Sequence, residues 1–349
     1  MKKRIALILL SIFTAVSFYS VDANAWLYVQ ALNPQNPAIQ AQIDAAINQA
    51  YQDIYSQTIL YQRQPRLAKG FANASAYSSN VATQRGYQGY DLFALTVGAM
   101  IGGQAPSRSL SYYNNIDEKL QYRGDLYAGA AFVPWTAQIG LNCGIFGVED
   151  LYMAVKFGKN KFHYSGYAID FMNIGLQVNY QFMDQRKAPI GIFLWRGFSL
   201  GSGLYYQYNK MDMQQNLYNV TENVGAAIVV VRPKFQFKIH TSSYVVPLEL
   251  TTAVRILWIL NFSLGGGADF AMAESAIKIR GYSPIIVFPA AFPGAAFARG
   301  EQKGKHCNPV MPKLIGGVGV NLGPVIVDVP MTYYFVNGFN LGLSVGFVW

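Results

Sequence analysis

Between Phe339 and Trp349 every odd position is apolar (Phe339, Leu341, Leu343, Val345, Phe347, Trp349). Four of the five even positions are small or polar: Asn340, Gly342, Ser344 and Gly346. Side chains of a strand alternate between two faces, so a period of two describes a strand with one greasy and one small, polar side. Helical periodicity cannot produce this pattern. The same alternation recurs at residues 93–101, 151–157, 172–182 and 198–208, where Met172, Ile174, Leu176, Val178, Tyr180 and Phe182 oppose Asn173, Gly175, Gln177, Asn179 and Gln181. It continues through 235–254, 258–272, 314–322 and 325–335.

The polar faces decide what these strands border. A soluble sandwich carries Lys, Glu and Thr on its outer face; here Gly, Asn, Gln and Ser dominate, as in a crowded, wet lumen. Charged residues make up 13% of the chain, about half the usual share, whereas aromatics reach 15%. Aromatics gather at strand ends (Tyr180 and Phe182, Tyr206 and Tyr208, Tyr333 and Phe335, Trp349), where the interfacial girdles of a membrane barrel lie. Outside the first residues there is no apolar run of about 18 residues, so helical membrane spans are not expected. The fold class is all-β: a transmembrane antiparallel β-barrel over residues 90–349. At about 20 residues per strand and turn it has about 12 strands, within a range of about 10 to 14. An exported soluble β-sandwich is the alternative. The Gly323-Pro324 and Asn337-Gly338 turns are both expected to be of the tight periplasmic kind.

Residues 1–25 read as a signal peptide. Lys2, Lys3 and Arg4 precede the apolar run Ile5–Val16, and Ala23-Asn24-Ala25 offers a cleavage site before Trp26. A retained N-terminal anchor is the weaker alternative. Residues 26–89 form an N-terminal helical segment and connector. Asn36-Pro37 is a helix start, and Ile39, Ile43, Ile47, Tyr51 and Ile54 follow at helical spacing, predicting a helix from Pro37 to about Leu60. That helix either packs beneath the barrel in the periplasm or acts as a plug, and residues 61–89 read as a connector. Cys143 and Cys307 either form one bridge or remain two buried thiols.

The terminal strand Phe339–Trp349, with its alternating apolar residues and final aromatic, resembles the last strand of outer-membrane β-barrel proteins of diderm bacteria. That class usually ends in Phe, and this chain ends in Trp. The resemblance implies that Phe339, Leu341, Leu343, Val345, Phe347 and Trp349 are an assembly signal read by barrel-assembly machinery, and that outer-membrane lipid surrounds the wall. Leu194-Trp195-Arg196-Gly197-Phe198-Ser199-Leu200-Gly201 resembles spirochaetal surface-adhesin barrels. A helix followed by a barrel is similar in outline to long-chain fatty-acid transporters, without that family's hatch motif.

Arg232, Lys234, Lys238 and His240 share one face of one strand, and Lys278 and Arg280 share a face of another, with Lys313 further on. Assigned to the lumen, these cations would focus a positive field and favour anions. The alternative is that they are paired with Asp170, Glu249 or Asp269 across the barrel. Catalytic, metal and cofactor sites are not expected: of His163, His240 and His306 only His240 has nearby hydroxyls, Ser242 and Ser243, without a carboxylate in register, and His306-Cys307 alone is not a metal site. Export argues against nucleic acid. Loops are expected at 103–120, 210–223 and 282–312, the last either extracellular or folded inward. Two functions follow: a passive channel or transporter for small solutes, or a surface adhesin whose loops contact host surface molecules.

Overall fold

A computed structural model describes residues 26–31, 67–81, 90–105, 129–164, 166–187, 192–216, 220–224, 227–231, 234–288 and 292–349. The predicted signal peptide, the predicted helix at 37–60 and Arg232 lie outside the described residues. In chain order the elements are β1 (Trp26–Ala31), α1 (Leu67–Tyr77), β2 (Phe93–Gln104), β3 (Gly129–Asn142), β4 (Leu151–Tyr164), β5 (Tyr167–Met183) and β6 (Arg186–Lys187). There follow β7 (Phe193–Asn216), β8 (Val220–Val224), β9 (Ala227–Val231), β10 (Lys234–Ile256), β11 (Leu260–Phe288) and β12 (Phe292–His306). The chain closes with β13 (Val310–Leu322), β14 (Val325–Tyr334) and β15 (Gly338–Val348).

Antiparallel pairings run β11-β10-β7-β5-β4-β3-β2-β15-β14-β13 and return from β13 to β11, which closes a barrel. β12 and β13 run in the same direction along the upper and lower halves of β11, so they form one stave interrupted at Cys307–Pro309. Counted so, the ring has ten positions; counting β12 separately gives 11 strands. β1 adds to the free edge of β12. The terminal strand β15 is the closing stave: it pairs with β2 from Gly338↔Gln104 to Val348↔Ala94, and the Trp349 carbonyl accepts from the Leu92 amide at 2.8 Å.

Burial follows the alternation. On β15 the odd residues Phe339 to Val345 are exposed and the even residues Gly338 to Ser344 are buried. The exposed face therefore belongs to lipid and the buried face to the lumen. From Phe339 to Trp349 the strand takes ten residue steps; at about 3.4 Å each and a tilt of about 40°, that is about 26 Å, the height of a barrel's apolar band. Rings mark one rim, with Phe347 stacked on Phe93 and Trp349 and Phe182 stacked on Phe198. At the other rim Tyr206 lies 4.8 Å from Tyr244 and Tyr333 lies 5.7 Å from Phe335.

The wall is uneven. β14 has 10 residues and β2 has 12, but β7, β10 and β11 have 24, 23 and 29. The long strands all project beyond the rim opposite Trp349. Three sequence readings change here. The turns at 323–324 and 335–337 lie at opposite ends, since they begin and end the single strand β14. The stretch 282–312 is no loop: most of it completes β11 and forms β12 and the start of β13. Residues 210–216 likewise extend β7. Cys143, in the turn after β3, and Cys307, at the break in the β12–β13 stave, are both free and buried.

The Leu194–Gly201 segment owes its character to a local break in pattern. Gly197 adopts φ +72, and any Cβ there would overlap the Met183 carbonyl, so glycine is required. The register against β10 slips at this point, between Thr252 and Val254. Thr252 Oγ1 fills the irregularity, donating to the Gly197 carbonyl at 2.6 Å and accepting from Trp195 Nε1 at 2.9 Å.

Candidate functional site

The lumen is occupied. Residues 67–81, read from the sequence as connector, enter the bore as α1 and a following turn, and every described side chain from Ala68 to Val81 except Lys69 is buried. The sequence Leu-Ala-Lys-Gly-Phe-Ala-Asn-Ala-Ser-Ala-Tyr explains the fit. An ordinary helix is about 10–12 Å across with its side chains, whereas Ala, Gly and Ser leave a thin cylinder. The wall is thinned opposite it: a Cβ at Gly129 would overlap the Gly70 backbone, one at Gly102 the Ala74 carbonyl, and one at Gly338 the Tyr77 ring.

Contacts between α1 and the wall are both apolar and polar: Ala72, Ala76 and Tyr77 pack on Val245, Ala271, Ala273, Cys307, Met311 and Tyr334, and hydrogen bonds flank this seam. Asn73 Nδ2 and the Tyr77 hydroxyl both donate to Gln104 Oε1, at 2.9 and 2.7 Å. Gln104 Nε2 in turn donates to the Val336 carbonyl at 2.9 Å, tying the helix to the β14–β15 turn. Ser75 and Ser243 hydroxyls are 3.2 Å apart. Below the helix, Gln207 Nε2 donates to Ser78 Oγ at 2.8 Å, Asn173 Nδ2 to the Ser79 carbonyl at 2.9 Å, and Lys156 Nζ to the Val81 carbonyl at 2.9 Å and to Asn80 Oδ1. A second apolar contact lies at the helix entrance, where Ala68 and Phe71 meet Phe237, Ile239 and Ile277.

Beside α1 lies a buried ionic group. Lys313 Nζ, 1% exposed, donates to Glu249 Oε1 at 2.5 Å and also to Asp269 Oδ1. The Tyr334 hydroxyl donates to Asp269 Oδ2 at 2.9 Å, and its ring stacks on Tyr77 with centroids 4.1 Å apart. Asn340 Nδ2 completes the path by donating to the Tyr77 carbonyl at 2.7 Å. A charge in this setting is tolerable only with partners on several sides. Lys313 thus lies in the lumen as the sequence suggests, in the paired form. The interior as a whole carries both signs, with Lys156 and Arg196 buried on one side of the count and Asp328 joining Glu249 and Asp269 on the other.

The remaining predicted lumen cations are elsewhere. Register between β10 and β11 is unbroken from Lys234↔Tyr282 to Ile256↔Leu260. Lys234, Lys238 and His240 therefore share the face of Tyr244, Val246 and Leu248, which is the outer face. Lys278, opposite Lys238, and Arg280, opposite Gln236, are on it too. The inner positions at this height are the buried Phe237, Ile239 and Ile277. The reason is that the long strands leave the bilayer near Ser242. Inside the membrane the apolar face looks outward to lipid; above it the apolar face turns inward to α1 and the outer face meets water. A single assignment of polarity to face cannot serve both halves of one strand. Asp170 pairs not across the lumen but with Lys161 on the same outer face, at 3.4 Å.

A closed barrel with a lipid-facing band, girdles of rings and a helix filling its bore is an outer-membrane-type β-barrel with an internal plug. Within that class the chain belongs to the Lsa36-like family, whose model matches residues 28–349. A search of curated proteins finds no match. Among solved structures, the toluene transporter TbuX of Ralstonia pickettii is similar at 8% identity over 81% of this chain and 99% of that one, with a TM-score of 0.27. The translocator domain of the autotransporter NalP from Neisseria meningitidis shows 10% identity over 75% and 90%, TM-score 0.28. A Pseudomonas aeruginosa FadL homologue shows 9% identity over 81% and 98%, TM-score 0.25.

Proposed function

We propose that the chain is a gated outer-membrane conduit for small solutes, closed in this conformation by α1. The observation that carries this reading is the nature of the seal. The plug is held to the wall by hydrogen bonds at Asn73, Ser75, Tyr77 and Ser78, which can be exchanged for water, and by an apolar seam to which α1 contributes only the small Ala72 and Ala76 and the Tyr77 ring. Below the plug the lumen is lined by polar residues, among them Thr96, Gln138, Asn261, Asn321 and Ser344. The long strands face the cell exterior, because the longest connection between neighbouring staves, residues 105–128, lies at their end and extracellular loops are the long ones. Residues 1–25 are removed on export, and barrel-assembly machinery inserts the chain by its last strand.

Locking the plug tests this. With Cys143 and Cys307 changed to Ser, Ser75→Cys and Ser243→Cys place two thiols where the hydroxyls are 3.2 Å apart. Proteoliposomes containing the reduced protein are expected to swell in a pentose, and the oxidised protein is expected not to. Equal swelling of the two forms refutes a gate at α1.

A second reading is favoured by the unequal wall. β7, β10 and β11 project well beyond the band and give the protein an exposed sheet on which a partner can dock. As an adhesin the barrel would be a scaffold and the plug its stiffener. Binding of host surface molecules that survives removal of the swelling activity would favour that reading.

A further inference from the structure

The chain passes through its own wall before it builds it. β1 pairs with β12 from Trp26↔Arg299 to Ala31↔Gly294, and those residues of β12 stand opposite Arg280 and Ile285 of β11. Arg280 is eight residues beyond Met272, which is in register with Tyr244 and Tyr206 at the rim of the apolar band. At about 3.4 Å per residue and a tilt of about 40°, β1 begins roughly 20 Å past that rim. It lies wholly at the long-strand end.

α1 enters from the same end and runs inward. Ala68 and Phe71 pack on Phe237, Ile239 and Ile277 of the projecting strands. Further along, Ser75 meets Ser243, Ser78 accepts from Gln207, and Val81 rests on Met100, Val133 and Phe171. Tyr90 is already at the opposite rim, among Ala94, Tyr152, Ile326 and Val348, and the Leu92 amide beside it donates to the Trp349 carbonyl. β2 then climbs back through the wall, and Gln104 at its far end accepts from Asn73 and Tyr77 of the helix it has passed. The chain has therefore crossed the bore before its first membrane strand begins, and what joins β1 to α1 starts and ends at the long-strand end.

The wall that grips α1 includes the seam where the ring closes. Gly102 and Gln104 belong to β2 and Gly338 and Asn340 to β15, the first and last strands of the ring, which pair with each other. A ring of this size holds one thin helix and little else, so the chain ahead of α1 crosses before the helix seats. From Trp26 to Arg66 the sequence has four charged residues, Asp44, Asp53, Arg63 and Arg66, whose charges cancel, and no cysteine. Such a stretch brings neither net charge nor a disulfide-closed loop into a narrow bore.

We propose that the barrel is the export route and the anchor of its own amino-terminal segment, which it carries through the bore and presents at the cell exterior. α1 is the part of that segment left in the bore, and β1 fastens the rest to the edge of the projecting sheet. Exterior placement rests on the orientation of the long strands; passage through the bore does not. Neither depends on whether the bore conducts solutes.

Cysteine labelling on whole cells tests the proposal, in full-length protein with Cys143 and Cys307 changed to Ser. Val29→Cys and Gln30→Cys are single changes in β1, and Pro324→Cys is a single change in the exposed turn at the Trp349 end. The reagent is a maleimide on a polyethylene glycol too large to enter the periplasm, and only protein with folded gel mobility is scored. At least one of the two β1 variants is expected to be labelled on intact cells, and Pro324→Cys only after the outer membrane is opened. Labelling of both ends on intact cells, or shielding of both, overturns the passage through the bore. Labelling of Pro324→Cys with both β1 variants shielded overturns the exterior placement, together with the orientation that the conduit shares, and leaves the passage standing. A Pro324→Cys protein without folded mobility is replaced by Val148→Cys, exposed in the turn after β3, with the same expected result.

Discussion

At Lys313 one cation answers two carboxylates and a tyrosine answers one of them, so the cost of a change depends on what it leaves behind. Lys313→Met strands Glu249 and Asp269 together and is expected to cost about 3–5 kcal/mol, the range for breaking a buried pair from one side. The combined change Lys313→Met, Glu249→Gln, Asp269→Asn is expected to cost less than the single one. Denaturant midpoints of the folded gel species check both. Tyr334→Phe removes the hydroxyl bond to Asp269 while leaving the ring on Tyr77, and a loss of about 1.5–3 kcal/mol is expected for a bond to a charged group. At the chain end, deletion of Trp349 removes the backbone bonds to Leu92 and Phe93 and the stacking on Phe347. Reduced outer-membrane insertion with undiminished export to the periplasm is expected. Full insertion of the truncated chain, read by cell fractionation, would remove the assembly role from this residue.

At the scale of elements, most strands are legible and the plug is not. Strands such as β5 and β15 border lipid on one side and a wet lumen on the other along nearly their whole length, so their side-chain chemistry has a period of two and nothing competes with it. α1 has no such contrast. A helix buried on all sides has no solvent face, and one squeezed into a narrow barrel is built of small residues that read as a linker; the repeated Ala at 68, 72, 74 and 76 is the only trace. The cations of β10 and β11 fail for the reason already given: polarity reports the medium, and the medium changes along the strand. Gly338→Val tests the match of wall and plug. The side chain would meet the Tyr77 ring, and a loss of about 1–3 kcal/mol is expected for overpacking, with raised pentose swelling as α1 is displaced. A stability loss without swelling would separate the plug's structural role from gating.

At the scale of the whole molecule, ring size and plug agree. An eight-stranded barrel is filled by its own side chains and one of 16 to 18 strands holds open water, in approximate terms. Ten positions lie between, wide enough for one thin helix and little else. Among the described residues the apolar clusters therefore follow the plug and one rim: Ala72, Ala76 and Tyr77 pack on the wall, α1 meets the projecting strands at the entrance, Val81 meets Met100, Val133 and Phe171, and Tyr90, Ala94, Tyr152, Ile326 and Val348 meet at the Trp349 end. The break in the β12–β13 stave has a consequence of another kind. At that point the backbone amide of Asn308 donates inward, to Asn73 Oδ1 of α1 at 2.9 Å, while Cys307 and Pro309 on either side keep bonds to β11. One wall amide thereby carries a record of what stands in the bore. Its deuterium uptake will follow the plug's residence time and that of Cys307 will follow the lifetime of the wall, so two adjacent amides can time separately the opening of the pore and the unravelling of the barrel.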